Sequence, residues 1–199
     1  MANLTSFKGK IGYGIRPNLF MVKVTNLEDS LDKTNTDVKG TDAAFSFLCR
    51  SAGIPASTIG TVEVPFRGRV IKLPGDRTFE SWTITVMADE SMSVRGYFEK
   101  WMNKLNKHEN GAGYTEDFAA TLQVDQLQRG VGTGAGLKAP HEVIRSYVFK
   151  NAFPTNIAQI DLSYDNNNSI AEYTVEFQYD WWEAKKADST VDIGASATI

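Results

Sequence analysis

Alternation of apolar and polar positions dominates this chain. Trp82, Ile84 and Val86 fall on one side of an extended backbone, with Thr83, Thr85 and Met87 on the other. That is the pattern of a half-buried strand. The alternation is strictest near the C-terminus. There Tyr173, Val175, Phe177, Tyr179 and Trp181 share one face, and Glu172, Thr174, Glu176, Gln178 and Asp180 share the other. Just before them, Ile160, Leu162 and Tyr164 alternate with Gln159, Asp161, Ser163 and Asp165. Asn166-Asn167-Asn168 stands between, and asparagine tolerates the left-handed conformation that tight turns need. Residues 158–165 and 169–182 are therefore predicted to form a hairpin with one buried and one wet face.

Further strands are predicted over residues 19–24, 44–50, 79–88, 121–127 and 143–153, each rich in β formers. Ser51-Ala52-Gly53-Ile54-Pro55 breaks the second of these. Residues 61–66 and 69–73 read as a hairpin about Arg67-Gly68. Pro74-Gly75 reads as a tight turn that launches the 79–88 strand, because proline presets φ and glycine permits φ > 0. Residues 25–42, 108–120 and 129–141 are polar or glycine-rich and read as loops. One segment, residues 89–107, has helical spacing instead: Val94, Phe98, Trp101, Met102 and Leu105 form a single apolar stripe. Asp89 suits its N-cap and Glu90 the positive end of its dipole, Lys104 and Lys107 suit its last turns, and Asn110-Gly111 stops it. The pattern is mainly antiparallel β with one flanking α-helix, the signature of a β-sandwich or barrel.

Composition narrows this picture. With 199 residues, 42% of them apolar and 23% charged, the chain is expected to build one core. Residues 1–199 read as a single domain with a core over about 16–183, an N-terminal arm over 1–15 and a C-terminal tail over 184–199. The tail is rich in Ala, Ser, Thr and Asp and is predicted to be extended or disordered in isolation. No apolar run is long enough to cross a membrane, and the first residues lack the apolar centre of a secretory signal. Cys49 follows Phe45, Phe47 and Leu48. It reads as a buried strand thiol of a protein folded in a reducing cytoplasm. The net charge of −3 argues against a protein that grips nucleic acid.

Catalytic chemistry finds little footing. Gly130-Val131-Gly132-Thr133-Gly134-Ala135-Gly136 is followed by Leu137-Lys138-Ala139-Pro140. It lacks both the Gly-Lys-Ser/Thr ending of a phosphate loop and a helix to receive a phosphate. His108 and His141 have no partner at zinc-ligand spacing. The paired carboxylates lie in a regular stripe, with no sign of the cleft that glycoside hydrolysis needs. No catalytic residue, cofactor site or metal site is therefore expected. Two features remain. The acidic stripe Asp161, Asp165, Glu172, Glu176 and Asp180 is either a solvated surface or a surface that repels a polyanion. The neighbours Asp76 and Arg77 are either local turn chemistry or a contact to another subunit, with Arg77 forking onto a carboxylate.

Several stretches carry a family resemblance. They are Arg16-Pro17-Asn18-Leu19-Phe20; Pro74-Gly75-Asp76-Arg77-Thr78-Phe79 with Trp82-Thr83-Ile84-Thr85-Val86; Phe153-Pro154-Thr155-Asn156; Leu162-Ser163-Tyr164-Asp165-Asn166-Asn167; and Tyr179-Asp180-Trp181-Trp182-Glu183. In this order the chain resembles the tail tube proteins of contractile-tailed (myovirus-type) bacteriophages. The resemblance implies a β-sandwich-like subunit whose inner sheet joins its neighbours into a closed barrel. It further implies rings of six that stack into a hollow tube through which DNA is ejected. Six subunits lending about four strands each make a barrel of roughly 45–50 Å, wide enough for a duplex of about 20 Å. The implied partners are the chain itself, a sheath protein, a tape-measure protein, a baseplate tube-initiator and a tail terminator, with genomic DNA passing through unbound and no membrane. The implied location is the virion tail, assembled in the host cytoplasm. In this frame the acidic stripe faces the lumen and Asp76-Arg77 a neighbouring subunit. The alternatives are a tube-initiating baseplate protein or a related injection-system tube such as that of type VI secretion. From another class, the alternative is a β-sandwich carbohydrate-binding or hydrolytic module with a pocket.

Overall fold

The computed structural model describes residues 3–11, 14–25, 48–107, 119–129, 142–165, 167–186 and 192–193. Along these the chain forms α1 (Leu4–Ile11), β1 (Phe20–Thr25), β2 (Cys49–Ala52), β3 (Thr58–Phe66), β4 (Arg69–Thr78) and β5 (Trp82–Met87). There follow α2 (Ser93–Leu105), β6 (Ala120–Leu127), β7 (Val143–Ile157), β8 (Glu172–Gln178), β9 (Trp181–Lys186) and β10 (Asp192–Ile193).

The long strand β7 belongs to two layers. Up to Lys150 it runs antiparallel between β6 and β9, in a sheet continued by β1 and β10. From Phe153 it pairs with β8 instead, and β8, β5 and β2 complete a second antiparallel sheet. The switch falls at Asn151, whose φ of 54° places a non-glycine residue in the left-handed region, where asparagine is enriched. The returning chain switches layers at the same place, between β8 and β9. There Asp180 donates its backbone N–H to the Lys150 carbonyl at 3.1 Å. Its carboxylate accepts the Asn151 side-chain amide at 2.6 Å. One clasp thus fastens both crossovers, a local irregularity of the kind by which strands pass between the layers of a sandwich.

The core lies between the layers and under α2. Val22, Val24, Leu122, Val124 and Phe149 come from the first sheet; Ile84, Val86, Val175 and Phe177 come from the second; Val94, Phe98 and Trp101 come from the helix. Phe177 is its hub, with ring centroids 5.7 Å from Trp82, 5.8 Å from Phe98 and 6.1 Å from Trp101, distances at which offset and edge-on aromatic packing is favourable. The Trp82 indole N–H donates to the Gly53 carbonyl at 2.7 Å, so the largest core side chain of β5 also satisfies its one polar atom.

Several sequence expectations hold. Trp82, Ile84 and Val86 are buried in alternation, as are Tyr173, Val175, Phe177 and Tyr179. Cys49 is a buried thiol, and burial pushes it up to about 12. The Arg67-Gly68 hairpin is present, with φ of 45° and 80° at the two turn residues, the primed geometry that suits twisted strands.

Other expectations are corrected. Pro74-Gly75 is no turn: both residues lie inside β4, opposite β3. Gly75 does not have φ > 0. A Cβ there would meet the Gly60 backbone at 3.2 Å, beside a shift in register between Ile59 and Thr61. The glycine therefore serves close backbone approach at a bulge. The C-terminal hairpin is also absent. Residues 158–163 form no strand, and β8 pairs with β5 and the end of β7. Trp181 leaves the buried face because the chain changes layers at Asp180, and it is exposed. The second strand spans Cys49–Ala52, so the break begins at Gly53, and residues 44–47 of the predicted strand lie outside the described residues. The helix starts at Ser93, four residues later than predicted, after a left-handed Met92. It ends at Leu105, with Asn106 extended. Asp89 still caps it from a distance: its Oδ2 accepts the Ser93 backbone N–H at 3.1 Å and the Ser93 hydroxyl at 2.8 Å. Tyr97 joins the buried stripe, while Met102 and Leu105 are half-buried. In the region read as an arm, α1 is an added element, and β9 carries the ordered ladder on to Lys186. The predicted loop over residues 25–42, the glycine run 130–136, His108, His141 and Asn110-Gly111 lie outside the described residues, apart from Thr25 in β1.

Candidate assembly surfaces

The most unusual surface is the ribbon formed by β3 and β4. Its burial pattern is exposed throughout, apart from a half-buried Gly75. Cross-strand pairing sorts its side chains into two faces. Val62 stands opposite Leu73, Val64 opposite Ile71, and Phe66 opposite Arg69. These fall on one side of the pleat because their positions differ by two. The other face carries Glu63 opposite Lys72, paired at 3.6 Å, and Pro65 opposite Val70. The ribbon is therefore amphipathic, and its apolar face is uncovered in the single chain. At the tip, the Arg67 guanidinium lies 5.5 Å from the centre of the Phe66 ring. The base is fixed to the body, since the Trp182 indole donates to the Ala56 carbonyl at 3.3 Å. The alternation of Val62, Val64 and Phe66 was visible in sequence. It has the same period as a core strand, so only the three-dimensional placement reveals that the face is unpartnered.

Asp76 and Arg77 lie on this ribbon, exposed on β4, with Arg77 opposite Ile59. They form a strand position rather than a turn.

The five carboxylates of the acidic stripe are not brought into one row. Glu172 and Glu176 share the outward face of β8, opposite Met87 and Thr83 of β5. Glu172 is ion-paired with Arg50 of β2, beyond β5. Asp180 sits past the end of β8 in the crossover clasp with Asn151. Asp161 and Asp165 lie in the segment between β7 and β8. There the Asp161 carboxylate accepts the Gln159 side-chain amide at 3.1 Å, and the Asp165 N–H donates to the Ser163 hydroxyl at 3.3 Å. In this segment Ile160 packs against the core, whereas Leu162 is 87% and Tyr164 106% exposed.

Two more features escaped the sequence reading. Leu4, Phe7 and Ile11 recur along α1 at helical spacing, and all three are exposed, so this helix also carries an uncovered apolar stripe. On the outer side of the first sheet, Asp125 is 1% exposed. It is held by Lys23 Nζ at 2.8 Å, by the Gln123 amide at 2.6 Å and by the Ser146 hydroxyl at 2.6 Å. A strand position that alternation assigns to the wet side is here buried and fully bonded. Among the described residues, no group of three or more His, Cys, Asp or Glu side chains is placed to hold a metal ion.

Comparison with known proteins agrees with the architecture. The family described as "Phage tail tube protein" matches residues 15–185. The "Tail tube protein gp19" of Enterobacteria phage T4 is 30% identical over 170 residues, covering 84% of this chain and 90% of its own. Among solved structures, the PVC sheath-tube complex of an extracellular contractile injection system, in its extended state, superposes with a TM-score of 0.57 at 17% identity, covering 92% of this chain and 99% of the other. The 6-fold symmetrised anti-feeding prophage (AFP) baseplate superposes with a TM-score of 0.57 at 10% identity, covering 87% and 97%.

Proposed function

The chain belongs to the phage tail tube protein family, in its contractile-tailed (myovirus-type) branch, and is a structural protein of the tail tube; from that premise we propose that it assembles as stacked rings of six into a hollow conduit for DNA ejection. The observation that carries this reading is the β3–β4 ribbon. An apolar face of Val62, Val64, Phe66, Ile71 and Leu73 left open to water is a liability in a monomer and a driving force in a polymer. The ring number is supported by the fold shared with the 6-fold symmetrised baseplate.

In this proposal residues 1–199 act as one tube domain, with a core over about 16–183, an arm over 1–15 and a tail over 184–199. The ribbon, including Asp76 and Arg77, contacts a neighbouring subunit. The short edge strand β2 and the end of β7 are the sheet edges that a ring must close. The outward face of β8, β5 and β2 lines the lumen. Glu172 and Glu176 lie on that face, Asp180 at its end, and Asp161 and Asp165 at its rim. Carboxylates there repel phosphate and let DNA slide without binding. The partners are further copies of the chain, a surrounding sheath, a baseplate initiator, a terminator and a tape-measure protein that fills the tube before ejection. Assembly takes place in the host cytoplasm, and the role is structural, without catalysis.

Electron microscopy of the purified protein across a range of concentrations tests this. Uniform hollow tubes or six-membered rings are expected. A monomer that persists at every concentration, even with a preassembled baseplate as nucleus, overturns it.

A further inference from the structure

We propose that Trp82 and Trp182 are positioning residues for assembly: their indole N–H groups clamp the base of the β3–β4 ribbon, so that each free subunit carries the ribbon already aimed in one direction. The proposal deepens the tube reading above and rests on it for its assembly readout alone. Among the described residues, β3 and β4 pair only with each other. Every residue from Thr58 to Thr78 is exposed, apart from a half-buried Gly75. A two-stranded ribbon is marginal by itself. With its side chains exposed along its whole length, its direction is decided where it leaves the body.

Both legs of the base are held. Residues 53–57 lead from β2 into β3. There the Trp82 indole donates to the Gly53 carbonyl at 2.7 Å and the Trp182 indole to the Ala56 carbonyl at 3.3 Å. Pro55, between these two carbonyls, is buried, and its ring fixes φ. On the leg that returns to the body, the Phe79 ring lies 6.0 Å from the Tyr179 ring. The holding residues are themselves fixed. Trp82 and Tyr179 lie 4.6 Å and 4.9 Å from the Phe149 ring, and Trp182 lies 5.8 Å from Tyr147. Trp82 stands opposite Phe177 between β5 and β8, and Trp182 opposite Phe149 between β7 and β9. The two donors therefore come from different sheets, so a ribbon swinging away from either sheet breaks one of the two bonds. Ordering a loose segment during association costs affinity, whereas a segment set on folding has already lost that freedom.

The test separates aiming from packing. W182F keeps a ring against Tyr147 and removes only the N–H. Nitroxide labels on R69C, near the ribbon tip, and on T174C, on β8, report the ribbon's direction in free subunits by pulsed electron double resonance, in a C49A background. The otherwise native subunit should give one narrow distance distribution, and W182F a broad one at the same melting temperature. W82F, which alters the core as well, should broaden the distribution and also lower the melting temperature. A hydrogen bond of this kind is worth about fivefold in an equilibrium. The critical concentration for tubes of unlabelled W182F should therefore rise about fivefold, with tubes of the wild-type form above it. A distribution in W182F as narrow as that of its parent overturns the clamp and leaves the tube reading intact. So does a distribution that is already broad in the parent. A broad distribution with an unchanged critical concentration overturns the role in assembly. A wild-type protein that never polymerises removes the tube reading, while the distances still decide whether the two indoles aim the ribbon.

Discussion

Lys23 and Asp125 form an ion pair of 2.8 Å across adjacent strands β1 and β6, with the carboxylate 1% exposed and the ammonium end reaching toward water. Gln123 and Ser146 supply the remaining donors. The carboxylate is thus buried and fully bonded, and its stability depends on every donor staying in place.

Replacing Lys23 by Met is expected to destabilise the subunit by about 1–2 kcal/mol. It leaves a buried charge uncompensated, while the exposure of the lysine limits what the pair contributes. The double change K23M/D125L should recover part of that loss. Urea unfolding of the four members of the cycle measures it, and strict additivity would show that the pair is not coupled.

Asp89 is expected to hold the start of α2. Burial raises its carboxyl, but hydrogen bonds from the Ser91 and Ser93 hydroxyls and the Ser93 N–H outweigh this and hold it below the ordinary aspartate value. D89A should cost about 1 kcal/mol near neutrality. Because the folded value is depressed, the benefit is present above the ordinary 3.8 and disappears as pH falls through the folded value. The stability curves of wild type and D89A should therefore converge in acid. A gap that stays constant down to about pH 2 would show that the charge plays no part in the cap.

Alkali acts on the opposite side. Burial pushes the Cys49 thiol from 9.0 to about 12, and burial of Tyr173 raises its hydroxyl despite the nearby Arg95. Above 9.0 the unfolded thiol ionises while the folded one stays neutral. The unfolded state then binds fewer protons and stability falls as pH rises. Below that value the contribution is constant. C49A should show a shallower decline between about pH 9 and pH 12, read from urea midpoints. In the native wild type the thiol should resist alkylation until the protein is unfolded.

Glu176 gives the cleanest probe of the proposed lumen. Glu172 is tied to Arg50 and Asp180 to Asn151, so changing either would disturb structure as well as charge. E176K should alter stability by no more than about 0.5 kcal/mol and slow DNA ejection from intact tails. Ejection at the wild-type rate from tails containing E176K would remove this face from the lumen.

What could be read in advance follows the range of the physics involved. Burial alternates with the pleat, so the faces of β5 and β8 were legible residue by residue. The helical stripe of Val94, Phe98 and Trp101 was legible for the same reason. Helix limits were less so. The αL residue Met92 and the remote cap from Asp89 arise from the chain turning out of β5, which no local propensity records. Pro74-Gly75 has turn composition, yet it lies in a strand, where the glycine is set by the partner strand: a Cβ at Gly75 would crowd the Gly60 backbone at 3.2 Å.

The chain's own pattern thus determined a mainly antiparallel protein with a packed helix, a buried cysteine, a hairpin at Arg67-Gly68 and the landmarks of its family. Each of these depends on neighbours close in sequence or on simple periodicity. The tertiary structure decided which alternating faces are core and which are left open. Val62, Val64 and Phe66 share their period with Tyr173, Val175 and Phe177, but on the ribbon these side chains are exposed. Likewise Asp180 became a clasp, and Asp161 and Asp165 became part of a separate segment, because β7 and the returning chain change sheets at Asn151 and Asp180. Burial depends on what lies opposite, and that partner is set by contacts distant in sequence.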